Sequence, residues 1–358
     1  MASELVEIDS LEVVVIVDNE IDPNTSYQIP DLKVNGQMAD IALKEPLTST
    51  ERGGASHEIR LDNVCCGGHG LSLMITAVKD GERRTVLFDT APEERIWEIN
   101  AKRLRADIGK IEWIQLSHWH RDHSGGILKA IPMIQEAKSS KDGLTIDLHP
   151  NRPDYRGFQG QASVISLERD PTWAEIEATG ATVVKNDKAH AILNGAFVVS
   201  GEIPRVTPYE VGFLRGMRYT EATGVWEKDE LILDERLLMC KVKGQYQHSW
   251  KFPSSPANPA SGKGVVVFTG CSHAGVVNAS KHALELAGDG TPLHAVIGGY
   301  HLVGPNEAFI KRTVQDLKAL DPHILMPGHC TGWKAKVEIE NVLPGRLAPC
   351  MVGTIYTL

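Results

Sequence analysis

Four strand-sized apolar runs in this chain each lead into residues that can ligate a metal, and no other feature constrains the fold as much. "IEWIQLS" (111–117) leads into His118 and His120, and "GVVVF" (264–268) into Cys271 and His273. "HAVIGG" (294–299) and "HILMPG" (323–328) lead into Tyr300–His301 and His329. Strand ends are the rigid positions where α/β proteins collect their chemistry. The densest instance is "SHWHRDHSGG" (117–126), which places His118, His120, Asp122 and His123 between a strand and the helix opening at "GGILKAIPMIQ".

A chain of 358 residues suits one large domain or two ordinary ones, and 42% hydrophobic with 23% charged residues is globular composition. Lys plus Arg total 37 against 46 for Asp plus Glu, a net charge of -9. That balance argues against a nucleic-acid or anionic-membrane partner. The opening "MASELVEIDSLEVVVIVD" carries acids where a secretory signal is basic, and no apolar run reaches membrane-spanning length. The six cysteines (Cys65, Cys66, Cys240, Cys271, Cys330, Cys350) include an adjacent pair, which speaks against a disulfide framework. The expectation is a reduced, cytoplasmic protein acting on a small molecule.

Apolar runs at 11–18, 71–78, 85–90 and 111–117 read as strands, and 92–107 as a helix. Farther on, "TIDLHP", "ASVISL", "GATVVK" and "GAFVVSGE" read as strands, with a short helix at "PTWAEIEATG". "ELILDERLLMCKVKG" reads as a hairpin, "VVNASKHALELAG" and 306–320 as helices, and "HILMPGH" as the last core strand. Polar insertions near 20–60 and 248–263 interrupt the pattern. No repeat or linker divides the chain, so residues 1–358 read as a single domain of sheets covered on their outer faces by helices.

Imidazole, carboxylate and thiolate are the donors Zn²⁺ takes, and a catalytic zinc keeps one position for water. Two metals account for the crowding. His118, His120 and one distal ligand hold the first; Asp122, His123 and His329 hold the second. A metal pair about 3.5–4 Å apart clamps both the attacking and the leaving oxygen.

With these residues in view, "SHWHRDHSGG" resembles the HxHxDH signature of the metallo-β-lactamase superfamily. "LFDT" (87–90), "VVFTGCSHAGVVN" (266–278), "IGGYHL" (297–302) and "PGHCTG" (327–332) are similar to one branch of it, the dihydropterin–ribofuranosylaminobenzene phosphate synthase-like proteins. "VDN" (17–19), "GGHGLSLMI" (67–75) and "SGEIPR" (200–205) agree, so the resemblance covers about residues 11 to 332. It implies an α/β fold, an αββα sandwich, around a dinuclear site. Two departures follow. Many members carry a bridging Asp where this chain has Gly270–Cys271, so either the Cys271 thiolate ligates or solvent alone bridges. The usual third histidine of the first metal has no counterpart in "SGEIPR". His273 or Glu202 replaces it, with His273 favoured because imidazole is the commoner zinc ligand.

The function expected is a metal-dependent hydrolase opening a cyclic amide, carbamate or ester with a metal-activated hydroxide. Two Zn²⁺ ions are the expected cofactors, although imidazole and carboxylate donors also suit Fe or Mn. Asp122 holds its metal and orients the attacking water, and His301 protonates or stabilises developing charge. Asp89 orients a ligand histidine. His69 and Asp18 either line the pocket or serve the fold, Arg205 meets an anionic substrate or a nearby acid, and Cys330 reads as packing. The remaining histidines (His149, His190, His248, His282, His294, His323) read as structural or surface residues. Rival readings are a pterin–aminobenzene ribofuranosyl phosphate synthase-like enzyme, a non-hydrolytic metal-containing binding protein, and an iron redox enzyme. Aromatics at 6% and the absence of a basic stripe leave a nuclease weakest.

Overall fold

The computed structural model describes residues 4–36, 38, 40, 44, 47–139, 143–244 and 263–358. Its strands are apolar on consecutive positions because they are covered on both faces. In Ser10–Val17, Leu11, Val13 and Val15 enter the core between two sheets, while Val14 and Ile16 turn to the opposite face. An eight-stranded sheet runs in the order Thr182–Lys185, Thr145–Leu148, Ile111–Gln115, Glu82–Phe88, Ser72–Lys79, Ser10–Val17, Ile355–Thr357, Lys33–Asn35. A seven-stranded sheet runs Lys188–Ile192, Phe197–Gly201, Leu238–Val242, Gly264–Thr269, Leu293–Gly299, Ile324–Gly328, with Glu7–Ile8 paired to Leu238–Val242.

The inner faces of the two sheets share one core, in which the fully buried Phe88 and Phe268 rings meet at 6.4 Å. Helices Glu94–Leu104 and Ile127–Ala137 cover the outer face of the larger sheet, helped by the short helix Trp173–Glu177. Val276–Ala287, Ile310–Ala319 and Trp333–Val342 cover the other. The layer order is therefore αββα, as expected. Within it, Gly264–Thr269, Leu293–Gly299 and Ile324–Gly328 are parallel, as are Glu82–Phe88, Ile111–Gln115 and Thr145–Leu148. Each parallel set delivers its carboxyl ends to one edge of its sheet, and the ligand-type residues follow those ends.

Three expectations need correction. "ELILDERLLMCKVKG" is not a hairpin: only Leu238–Val242 is a strand, and Ile232 takes a left-handed φ of 48° in the irregular segment before it. "HILMPGH" is not the last core strand, since Ile355–Thr357 enters the larger sheet beside Ser10–Val17. A third, four-stranded sheet of Val225–Lys228, Gly216–Thr220, Tyr155–Gln159 and Val164–Ser166 was expected only in its last strand. Of the insertions, 20–60 holds the strand Lys33–Asn35, whereas 248–263, with His248, lies outside the described residues except for Lys263. Among the described residues no helix is long and apolar enough to cross a membrane.

Phe268→Ala removes a ring shared by both sheets. Urea unfolding should show a loss of about 3–5 kcal/mol; a loss below about 1 kcal/mol would contradict a close-packed inter-sheet core.

Candidate metal centre

Asp89 organises the histidines. It follows Glu82–Phe88 in a left-handed conformation, φ 60°, and is fully buried. Its Oδ1 accepts the Ser117 backbone N–H at 2.8 Å. Its Oδ2 accepts the Ser117 hydroxyl at 2.8 Å and His123 Nδ1–H at 2.6 Å. A carboxylate only accepts, so His123 carries a proton on Nδ1 and leaves Nε2 as the one nitrogen able to ligate. The Ser117 hydroxyl, having donated to Asp89, accepts from His118 Nδ1 at 2.9 Å, which likewise frees His118 Nε2. The close approach needs Gly270: a Cβ there would stand 2.3 Å from Ser117 Oγ and 3.3 Å from Asp89 Oδ2. At the far side Asn19 Oδ1 accepts His329 Nδ1–H at 3.1 Å, and Asp18 Oδ2 accepts the His329 backbone N–H at 2.9 Å.

The freed nitrogens converge in two sets. His118 Nε2 stands 2.9 Å from His120 Nδ1, and His273 Nε2 stands 3.2 Å from the same atom. Beside this set, Cys271 Sγ lies 3.2 Å from both His123 Nε2 and His329 Nε2. Asp122 Oδ2 lies 3.2 Å from His329 Nε2 and 3.8 Å from His123 Nε2. Within each set all ligand atoms lie within 4.8 Å of one another. Burial pushes the imidazoles of the first set toward the neutral form, His120 to about 3 and His118 and His273 well below the usual range. Burial also opposes the charged form of His123, but Asp89 and Asp122 outweigh it and raise the ring to about 9. Three neutral imidazoles beside a carboxylate, two imidazoles and a thiol form a donor set that fits two borderline divalent ions.

Sequence reasoning missed the charges beneath these ligands. Arg156, Asp234, Glu235 and Arg236 are all at most 2% exposed. Arg156 forks onto Asp234 and also reaches Asp229 at 2.9 Å. Together the pair grips the peptide groups of Trp119, the residue between His118 and His120: Asp234 Oδ2 accepts its N–H at 2.8 Å, and Arg156 Nη1 donates to its carbonyl at 2.6 Å. Glu235 accepts the backbone N–H of His273 at 2.7 Å and of Ala274 at 2.6 Å. Arg236 donates to Leu116 O at 3.0 Å and to Asp147 Oδ1 at 2.8 Å. Three consecutive residues thus hold three approaches to the site. No periodicity signals this, because carboxylates reaching backbone N–H groups leave no pattern in the sequence.

The structure brings His273, not Glu202, to His118 and His120; Glu202 is exposed and belongs to neither donor set. Cys271 joins the Asp122 set. His301 lies against His273, ring centroids 4.5 Å apart, and Phe213, also missed, packs on both rings at 5.8 and 6.1 Å. His69 is exposed, with Nε2 3.6 Å from Asp122 Oδ2. Arg205 donates to Leu231 O. His190 pairs with Asp147 at 2.6 Å, a structural role.

Burial raises the Asp234 carboxyl, yet Arg156 outweighs it and holds the group down at about 2. Its stabilising contribution is therefore complete above the unfolded value near 3.8 and lost as pH falls toward about 2. Asp234→Asn, which leaves the Arg156 charge short of its partner, should cost about 3–5 kcal/mol at neutral pH. It should also flatten the loss of stability between about pH 4 and about pH 2; an acid limb identical to wild type would remove Asp234 from that role.

No family model matches the chain. Over 272 residues, 75% of this chain and 82% of the relative, it is 28% identical to 7,8-dihydropterin-6-methyl-4-(β-D-ribofuranosyl)-aminobenzene-5′-phosphate synthase of Methanocaldococcus jannaschii. It is 26% identical over 277 residues, 76% of this chain and 88% of the relative, to an uncharacterized protein of the same organism. Among solved structures it superposes on Tm1679, a metal-dependent hydrolase of the β-lactamase superfamily, with a TM-score of 0.62 at 19% identity, covering 96% of this chain and 98% of that one. The chain therefore has the metallo-β-lactamase fold, and in sequence it is similar to the branch of that superfamily represented by the dihydropterin–ribofuranosylaminobenzene phosphate synthase.

Proposed function

We propose that this protein is a metal-dependent hydrolase of small molecules that opens a cyclic amide, carbamate or ester. The observation that carries the reading is the pair of adjacent donor sets, His118–His120–His273 and Asp122–His123–Cys271–His329, each gathered within 4.8 Å. Zn²⁺ fits both sets. When bound, the metals supply Lewis acidity toward a carbonyl or phosphoryl oxygen and a water nucleophile competent at neutral pH. Asp122 is the one member of the two sets with appreciable side-chain exposure, 22%, so its carboxylate faces arriving water and orients it. Burial opposes its ionisation, but His123 and His329 hold it well below the usual carboxylate range, so it accepts hydrogen bonds throughout the neutral range. Among the described residues His301 Nδ1 is buried without a hydrogen-bond partner, which supports that ring as the group that passes a proton to a leaving nitrogen or oxygen.

A second reading is favoured by the 28% identity to the pterin–aminobenzene synthase, which extends over 82% of that protein. In it, the same site binds a phosphorylated aminobenzene riboside and a pterin, and the product is joined rather than cleaved.

Metal content per chain tests the common premise. Wild type and Glu202→Ala should both hold at least two ions and His273→Ala one fewer than wild type; one ion or none in wild type would sink the dinuclear reading. Asp89→Asn should weaken metal affinity about 10- to 100-fold, because it loosens two ligand histidines at once. A panel of lactams, cyclic carbamates and lactones, run beside the pterin and aminobenzene riboside pair, then separates the two reactions. Ring opening that falls roughly 10²- to 10⁴-fold in Asp122→Asn supports hydrolysis; product from the pterin pair alone would replace it with the second reading.

A further inference from the structure

A third cluster stands against the second donor set. Cys271, His301 and Cys330 bring two sulfurs and a ring nitrogen within 4.8 Å of one another. Cys271 is 3% and Cys330 6% exposed, and among the described residues both thiols are free. Cys330 Sγ donates to the Cys271 carbonyl at 3.5 Å, an ordinary length for a thiol donor. The backbone around the group is held from several sides: Ser272 Oγ donates to Gly299 O at 2.7 Å, Thr331 Oγ1 accepts the Tyr300 N–H at 3.0 Å, and Asp18 accepts the His329 N–H at 2.9 Å. Ser272, His301 and His329, neighbours or members of the cluster, all adopt left-handed φ values of 59°, 47° and 44°. Such conformations cost on the order of 1–3 kcal/mol each in residues other than glycine and persist where the surroundings enforce them. Room for the second sulfur is also specific, because a Cβ at Gly299 would stand 2.7 Å from Cys330 Sγ and 2.5 Å from Gly270 O.

We propose that Cys271, Cys330 and His301 form a third metal site, selective for thiophilic ions such as Zn²⁺ or Cd²⁺, with Cys271 bridging it to the Asp122 set. Two thiolates and an imidazole are the donor chemistry that soft and borderline d¹⁰ ions prefer over Mg²⁺ or Mn²⁺. Ligand atoms within 4.8 Å of one another need to close only slightly to reach Zn–S and Zn–N distances of about 2.3 and 2.0 Å. On binding, each thiol releases its proton to the buffer as its metal–sulfur bond forms. An ion in this site occupies His301, so its presence and proton donation by His301 exclude one another. The inference itself does not require the hydrolytic reading.

Cd²⁺ is the probe. Full-length metal-free protein, in a Cys66→Ser background that removes the exposed thiol, is titrated with Cd²⁺ and desalted. Bound metal and thiolate-to-cadmium absorption are then measured. The expected result is about three ions per chain, falling to about two in Cys330→Ser with the thiolate absorption roughly halved. Should Cys330→Ser lack the wild-type circular dichroism, Cys330→Ala and His301→Gln replace it, with the same loss of one ion expected. Saturation at two ions in the parent, or a full complement with undiminished absorption in the folded variants, overturns the third site and leaves the dinuclear reading intact. Fewer than two ions in the parent overturns both.

Discussion

The site depends on an ion pair that has been taken out of water. Arg156 and Asp234 are buried at the base of the His118–Trp119–His120 turn, and between them they satisfy both the N–H and the carbonyl of Trp119. A turn with alternating ligands cannot be held by its own side chains, because those must stay free for their nitrogens to converge. The backbone must be fixed from behind, and a charged pair with several donors and acceptors does this where an apolar residue cannot. Such pairs add little net stability by themselves, since desolvation offsets most of the attraction. What they fix here is geometry. Glu235 does the same for the His273 backbone and Asp18 for that of His329, so backbone N–H groups on three sides of the centre are held by buried carboxylates.

Proton placement is the second layer of that control. Asp89 dictates the tautomer of His123 directly and that of His118 through Ser117, while Asn19 dictates that of His329. A histidine with its Nδ1 proton committed to an oxygen has only Nε2 to offer. In three of the five histidines of the two donor sets, Nδ1 is therefore engaged by the protein and Nε2 is the nitrogen turned toward the site. These orienting residues, Asp89, Ser117 and Asn19, fall within the motifs LFDT, SHWHRDHSGG and VDN, whereas the buried charges at 234–236 fall in none.

That contrast explains what was legible in the sequence. Strands Ser10–Val17, Ser72–Lys79, Gly264–Thr269 and Leu293–Gly299 could be read because burial on both faces makes them continuously apolar. The ligand-type residues could be read because His, Asp and Cys directly after such runs are chemically conspicuous. Segment 231–236 was read wrongly for a physical reason. It reads as part of a hairpin, yet Leu231 and Leu233 are 44% and 43% exposed while Asp234, Glu235 and Arg236 are buried. Consecutive charges ordinarily mark solvent, and the long-range backbone partners that reverse this, the N–H groups of Trp119 and His273 and the carbonyl of Leu116, lie up to 120 residues away. The small sheet escaped for a similar reason: Gly216–Thr220 and Val225–Lys228 are largely half-exposed or exposed and carry little apolar signal.

The parallel strand ends have one more consequence. His118, His120, Asp122 and His123 follow a strand of the larger sheet, whereas Cys271, His273 and His329 follow strands of the smaller one. Each donor set therefore draws from both halves of the sandwich. An ion in either set acts as a crosslink between the sheets, spanning chain separations of 155 residues in one case and 207 in the other. Occupancy and resistance to unfolding are then thermodynamically linked: the tighter the ion is held, the harder the two sheets are to part at that edge.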